Sequence, residues 1–373
     1  MSERAEPAPG GTRERLDYED LEASLRRRFD APRARTMVAF ARALFAREGE
    51  RYAAELAAED RAALVTDAFG FFVSMTAAVR VRLRTPSEQQ GGWESPYTIF
   101  ESHLGDRPFI VDTIREYFHR RGIAVRHLLH PVYSVERDEA GTLVRLRSPE
   151  GRKESFVHCA VERIADADLA ALERELAGRL GDVFVATEDY RRMRDRLEEV
   201  RDEVDPQATV PADADEIQQF LGWLGDGHFV FLGYGGYRRV ENGAESSLLL
   251  DADSALGILR IPEHARDISE LDLDPQSRAP VDPAARLAVL RSALESTVHR
   301  AARMDVIVVR RPGEADRAGD EHRFYGLFTN KAYAEPSAEI PVVRRKLEHI
   351  LGAEQVLVDS HDYREIESMF EAM

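Results

Sequence analysis

From Tyr18 to about Leu83 apolar residues recur at three- and four-residue spacing among Ala, Leu, Arg and Glu, with little glycine, which predicts helices. Pro32 and the region of Gly49 divide them into segments such as Ala34 to Phe45 and Asp60 to Leu83. Thr85 to Pro96, with Gly91, Gly92 and two prolines, reads as a linker. The pattern then becomes mixed. Tyr97 to Ser102 predicts a strand, Gly105, Asp106, Arg107 and Pro108 a turn, and Ile110, Ile114, Tyr117 and Phe118 one face of a helix that stops near Gly122. In that turn Asp106 is expected to cap the helix and Pro108 to start it. Val125 to Glu136 and Glu154 to Ile164 predict paired strands, the second with Val157, Cys159 and Val161 on its one covered face. Leu169, Leu172, Leu176 and Leu180 mark the next helix, and Gly181 to Ala186 reads as a fourth strand. The order is β-α-β-β-α-β, the split arrangement of ferredoxin-like domains, with both helices on one face of an antiparallel sheet.

A charged helix from about Glu188 to Val204 leads to Asp205, Pro206 and Pro211, which read as a boundary. Beyond it the pattern predicts a helix at Ala214 to Leu224, a strand at His228 to Tyr237 and a long acidic, Pro-containing excursion. A helix from about Pro283 to Val298 follows, then a strand at Asp305 to Arg310, a polar loop from Pro312 to Glu321 and a strand at His322 to Thr329. A helix at Pro341 to Leu351 and a strand at Gln355 to Val358 complete what reads as the same element order a second time. The fold class is therefore α+β, and the organisation is a disordered tail over 1–17, a helical segment over 18–90, a first mixed domain over 91–190, a charged helix and linker over 191–212, and a second mixed domain with an insertion over 213–373.

A chain of 373 residues with 43% hydrophobic residues is long enough for two or three cores. Its formal charge of −17 repels phosphate backbones and anionic membranes, so neither nucleic acid nor membrane is an expected partner. The lone Cys159 cannot form an intramolecular disulfide, and no stretch resembles a signal peptide or a membrane span, which together point to the cytoplasm.

Candidate chemistry is sparse. No G-x-G-x-x-G joins a strand to a helix and no P-loop occurs; Gly233, Gly235 and Gly236 end a strand, where they suit a bulge. NAD has no visible home here. His127, His130 and His158 lie on neighbouring strands, but residues three apart face opposite ways, so hydrogen-bonded sheet histidines are the favoured reading and no metal is assigned. Asp359, Ser360, His361 and Asp362 are adjacent on one loop, whereas triad members converge from separate segments, and Cys159 reads as a buried thiol. No catalytic residue emerges. The turn Gly105, Asp106, Arg107, Pro108 is the one candidate binding site. A helix start directs N–H groups outward, Arg107 offers a planar partner for a carboxylate, Asp106 suits an ammonium group, and Gly105 permits close approach of the backbone.

The residues themselves resemble a family. Glu101-Ser-His-Leu-Gly-Asp-Arg-Pro-Phe-Ile-Val-Asp-Thr-Ile114, His130-Pro-Val132 and Glu154-Ser-Phe-Val-His158 look like the first ACT-type domain of the large bacterial NAD-specific glutamate dehydrogenases. Asp226-Gly-His-Phe-Val-Phe-Leu-Gly-Tyr234, Ser296-Thr-Val-His-Arg300 with Asp305, Arg323-Phe-Tyr-Gly-Leu-Phe-Thr329 and Ile340-Pro-Val-Val-Arg-Arg-Lys346 resemble the second regulatory portion. The resemblance runs from about Tyr97 to the end and implies tandem ACT-type domains that bind amino acids at strand-to-helix turns and assemble into homo-oligomers. In the family the catalytic lysine and the NAD site lie much further along a far longer chain, so no catalytic residue carries over. The chain by itself is expected to be inactive, as a fragment, a split gene product or a subunit that joins a catalytic glutamate dehydrogenase segment. The alternative is a free-standing amino-acid-binding regulator or scaffold with no enzyme partner; an unrelated enzyme would need a convergent polar site that the sequence does not show.

Overall fold

The computed structural model describes residues 17–46, 48–87, 93–204, 211–242, 245–270, 285–311 and 320–346. The expected tail, most of the Asp205 to Pro211 boundary, the Pro312 to Glu321 loop apart from its last residues, the end of the Pro341 to Leu351 helix, the Gln355 to Val358 strand and the Asp359 to Asp362 run lie outside them. The chain is α+β, with two antiparallel sheets in tandem behind a helical N-terminal segment, and its contacts group it into two compact units, 1–181 and 182–373.

The first unit opens with helices α1 (Tyr18–Arg26), α2 (Ala31–Leu44), α3 (Gly49–Ala54) and α4 (Ala58–Val73). Asp17 and Asp30 cap the first two, Asp17 Oδ1 accepting from the backbone N–H groups of Glu19 and Asp20, and Asp30 Oδ1 from that of Arg33. The last helix ends at Val73, earlier than its period suggested. Val79, Val81 and Leu83, which alternate with Arg80, Arg82 and Arg84, form strand β1 (Val79–Arg84) instead. After it come β2 (Thr98–Gly105), α5 (Ile110–Arg120), β3 (Val125–Leu129), β4 (Val132–Arg137), β5 (Leu143–Leu146), β6 (Arg152–Val161) and α6 (Asp166–Glu188).

The strand order is β1-β2-β6-β4-β5, with β3 also on β6. Together β3 and β4 are the one expected strand, broken at His130-Pro131, and each runs along its own half of β6. The expected fourth strand, Gly181 to Ala186, lies inside α6, where Leu172, Leu176, Leu180, Val183 and Ala186 continue the helical spacing and are all buried. Its place at the free edge of β2 is taken by β1, antiparallel to β2 from Val79 opposite Leu104 to Arg84 opposite Ile99. The ferredoxin-like frame is thus closed by a strand that precedes it in the chain.

Both faces of this sheet are covered, where one was expected. On one, Phe100, Leu104, Val157, Cys159 and Val161 are buried with Ile110, Ile114 and Phe118 of α5. The other receives the helical segment: the Phe40 ring lies 5.0–5.5 Å from those of Phe69, Phe72, Tyr133 and Phe156, and the Tyr133 hydroxyl donates to the Phe40 carbonyl at 3.0 Å. Burial of each such ring contributes about 1.5–3 kcal/mol, so helices and sheet share one core.

The second unit contains α7 (Tyr190–Asp202), α8 (Pro211–Trp223), β7 (Phe229–Asn242), β8 (Glu245–Leu250), β9 (Leu256–Gly257), α9 (Pro262–Glu270), β10 (Leu287–Glu295), β11 (Arg303–Arg310), β12 (Glu321–Phe328) and α10 (Asn330–Ala334). Its strand order is β10-β11-β12-β7-β8, with β9 on β7. The charged α7, which reads as a connector, inserts Met193, Leu197 and Val200 into a core with Phe220, Phe229, Phe231, Ile307 and Phe324. The expected helix over Pro283 to Val298 is strand β10. Leu287, Leu290, Leu294 and Val298 have helical spacing, but pairing with β11, Leu287 opposite Val309 through Arg291 opposite Asp305, overrides that local preference. The repeat of element order is consequently not literal. In β7 a bulge falls beside Gly233, and a Cβ there would approach Ile258 Cγ1 to 2.9 Å, so the glycine admits the turn after β9.

Candidate functional site

Strand β2 ends at Gly105, opposite Glu154, and the Asp106 N–H donates to the Lys153 carbonyl at 2.9 Å, which extends the ladder by one bond into the turn. Arg107 Nε donates to the Gly105 carbonyl at 3.2 Å. The helix does not begin where the sequence suggested. Pro108 and Phe109 make a further turn, and α5 starts at Ile110 behind Phe109, whose φ is 72°. A left-handed phenylalanine is a strained N-cap, and it supplies no side-chain hydrogen bond to the helix; Asp106 is not the cap. The Thr113 N–H donates to the Phe109 carbonyl at 3.0 Å, and Asp112 is the acidic residue of the first turn, where it complements the helix dipole. Close by, His130 Nε2 lies 2.6 Å from Ser155 Oγ, and the Asp106 carboxylate is near enough to act on the imidazole electrostatically. Asp106 and Pro108 are exposed and Arg107 half-buried. The four residues of the turn therefore stand together at the end of an inner strand, with a histidine and a serine alongside.

On the opposite face the same strands carry buried charge that sequence reasoning missed. Glu101, His103, Glu154 and His158 are each at most 2% exposed. Glu101 accepts from Arg82 Nε at 2.9 Å and pairs with His158 Nδ1 at 3.0 Å, while Arg82 also reaches Asp67 on α4 at 3.0 Å. His103 Nε2 lies 2.8 Å from Glu154, which also accepts from Arg137 Nη2 at 2.8 Å. Arg137 further donates to the carbonyls of Phe72, Val73 and Gly141 at 2.8–3.0 Å, satisfying the C-terminal end of α4. Burial alone would raise both glutamates, but hydrogen bonds from His158 and Arg82 hold Glu101 at about 2, and those from His103 and Arg137 hold Glu154 at about 2. Burial lowers His103. The legible signal was the period: Glu101 and His103 are spaced by two within an apolar strand, hence on one face.

Each carboxylate of this network is held by cationic and imidazole donors, His103 Nδ1 and His158 Nε2 are buried without a hydrogen-bond partner among the described residues, and the network joins the helical segment to the sheet. The other histidine of interest, His127, pairs with Glu55 at 3.1 Å and stacks on Tyr52 at 4.6 Å. His127 and His158 both contact the Tyr52 ring but pair with different carboxylates, His130 bonds Ser155, and among the described residues no three His, Cys, Asp or Glu side chains could hold a metal ion. Cys159 is fully buried and its thiol is pushed up to about 12 by burial, which makes it unreactive.

In the second unit the quoted motifs occupy packing positions. His228 stacks on Trp223 at 4.2 Å, and both rings reach Glu335 at 2.8 Å. The Tyr234 hydroxyl lies 2.8 Å from both Arg196 Nε and His322 Nδ1, and burial drives His322 down to about 4. Among the described helices none is long and apolar enough to cross a membrane.

The antiparallel sheet with helices on both faces and a strand-to-helix turn at its inner strand fits an ACT-type domain, and the model of the glutamate dehydrogenase ACT1 domain matches residues 40–176. NAD-specific glutamate dehydrogenases are similar over most of the chain: that of Halomonas elongata is 30% identical over 304 residues, 79% of this chain and 19% of its own length. That of Pseudomonas aeruginosa is 29% identical over 301 residues, again 79% and 19%, and that of Mycobacterium tuberculosis 31% over 276 residues, 71% and 16%. The chain belongs to the family of large NAD-specific glutamate dehydrogenases and carries its ACT-type region. It spans about a fifth of the length of these relatives.

Proposed function

We propose that this chain is a regulatory and assembly region of an NAD-dependent glutamate dehydrogenase, the class that converts glutamate to 2-oxoglutarate, and that it reads an amino acid at the turn Gly105 to Pro108. NAD and the catalytic lysine belong to a catalytic segment, its partner in one polypeptide or in an assembly, and the complex is a cytoplasmic homo-oligomer. The observation that supports the reading is the start of α5. Its N-cap, Phe109, offers no side-chain hydrogen bond, and Asp106 and Arg107 stand in the turn that leads into it with opposite charges. The helix dipole and the Arg107 guanidinium favour a carboxylate, Asp106 an α-ammonium group, and together they suit a zwitterion. The Asp112 carboxylate in the first turn sets the competition that a ligand must win.

A panel of amino acids screened by thermal shift tests this. At least one should stabilise the chain, by about 2.7 kcal/mol at a hundredfold excess over its dissociation constant. Arg107→Ala should abolish most of that shift while leaving the ligand-free melt nearly unchanged, because a half-exposed turn arginine contributes little. If no amino acid stabilises the wild type, or the variant responds equally, the turn is a structural connection and the effector reading fails.

A further inference from the structure

Within the second unit a cavity of about 170 Å³ lies among β7, the turn after β9, α9 and the link from β10 to β11. Its lining divides by burial. Leu232, Ile258, Val298 and Met304 are buried and form an apolar floor, whereas Asp267 is half-buried and Glu295 exposed, which places their carboxylates toward the mouth. The walls are propped apart from below. Asp182, only 5% exposed, holds His264 Nε2 of α9 at 3.0 Å through one oxygen and accepts from Thr297 Oγ1 at 2.6 Å through the other. The hydrogen bond to Asp182 raises the His264 pKa, and the charge of Asp267 adds to that rise, so one imidazole faces two carboxylates. No arginine or lysine is among the described lining residues. Asp267, among the described residues, has no hydrogen bond or ion pair.

A cavity of roughly 150 Å³ accommodates a benzene-sized apolar body. With an apolar floor, and with the carboxylates of Asp182 and Asp267 both acting on the single imidazole of His264, the surroundings keep an excess of negative charge, and this cavity selects a small molecule that is apolar at one end and cationic at the other. We infer that it is a second ligand site, distinct from the turn at Gly105, for a compact branched aliphatic primary ammonium compound whose chain rests on Leu232, Ile258, Val298 and Met304 and whose ammonium group donates to Asp267. The charged hydrogen bonds fix the orientation, and a ligand of the same shape bearing a carboxylate is repelled.

Two probes of matched shape and opposite charge, 3-methylbutylamine and 4-methylpentanoate, test the site by calorimetric titration of the full chain. The amine should bind saturably with one site and the carboxylate should not bind. Asp267→Asn, a nearly isosteric change on the surface of α9, should weaken the amine at least tenfold, whereas Arg107→Ala should leave its affinity within twofold. Methyl NMR of ¹³C-methionine-labelled protein localises the contact independently of any variant's folding: the amine should shift the Met304 resonance, assigned by Met304→Leu. Absence of amine binding, equal binding of the carboxylate, an unchanged affinity in Asp267→Asn, or an unmoved Met304 signal overturns the inference. Loss of amine binding in Arg107→Ala overturns it too, by returning the ligand to the turn.

Discussion

On one face of the first sheet, Phe100, Leu104, Val157, Cys159 and Val161 meet the helices that the ferredoxin-like frame requires, and the packing there is apolar. One residue along the same two strands, on the other face, Glu101, His103, Glu154 and His158 are equally buried but held by Arg82 and Arg137 against the helical segment. Apolar contacts are tolerant, since hydrophobic side chains of similar volume repack at modest cost. Buried ions are not, because each charge that loses its partner costs several kcal/mol. The contrast teaches that the frame and its extra helical layer are joined by different rules. The frame side needs only volume and pattern, whereas the helical side is fixed in one register, that in which Arg137 reaches both Glu154 and the end of α4.

The largest effect should come from breaking the charged face at that point. Arg137→Met leaves Glu154 with only His103 and strips donors from the carbonyls of Phe72, Val73 and Gly141. Urea unfolding should show a loss of about 3–5 kcal/mol. Adding Glu154→Leu should recover a large part of it, because an apolar pair of similar volume removes the stranded charge. A single variant that costs less than about 1 kcal/mol, the value of a surface pair, or a double variant no better than the single, would mean that the two faces obey the same rule.

The same contrast predicts a pH dependence of fixed sign. Glu101 and Glu154 are depressed from 4.5 to about 2 in the folded chain, so their contribution is fully present above about 4.5 and is lost as pH falls toward 2. Buried His103 is lowered from 6.5, so the unfolded chain takes up its proton first and stability begins to fall as pH drops below that range. Unfolding free energy should therefore fall between roughly pH 6 and pH 3, below the range in which His264, whose pKa is raised, gains its proton. The Arg137→Met, Glu154→Leu double variant should show a shallower fall. An equal slope in both proteins would place the titrating groups elsewhere.

How much of this was legible depends on which force decided each element. Strands β2, β6, β7, β11 and β12 and helices α5 and α8 follow from period and punctuation, because their burial and their local preference agree. The turn at Gly105 was visible for the same reason, although its internal geometry was not: nothing in Asp106-Arg107-Pro108 announces a left-handed Phe109. Where partners decided, the sequence misled. Strand β10 has helical spacing and is a strand because β11 pairs with it. Strand β1 alternates with period two but followed a helix without a break, and the longer pattern absorbed it. The buried ion network needed Asp67, Arg82, Glu101, Arg137 and Glu154 to meet from positions far apart in sequence, information that spacing along one strand does not hold.

The smallest expected effect concerns the frame side, at the segment read as a strand. Gly181 lies inside α6, it has no positive φ, and a Cβ added there would meet nothing within 4 Å. In a helix interior, glycine costs about 0.5–1 kcal/mol relative to alanine because more backbone freedom is lost on folding. Gly181→Ala should therefore raise the unfolding free energy by about that amount and leave the far-ultraviolet circular dichroism slightly more helical. The outcome discriminates sharply between the two readings of Gly181 to Ala186. A glycine that turned the chain into a fourth strand would need backbone freedom that alanine lacks, and its replacement would destabilise. Gly178, three residues earlier and equally unobstructed, provides the control, since it lies within the helix on either reading. Both substitutions stabilising by similar amounts identifies one continuous helix through Glu188. Stabilisation at Gly178 with destabilisation at Gly181 would restore the fourth strand and remove β1 from its place at the edge of the frame.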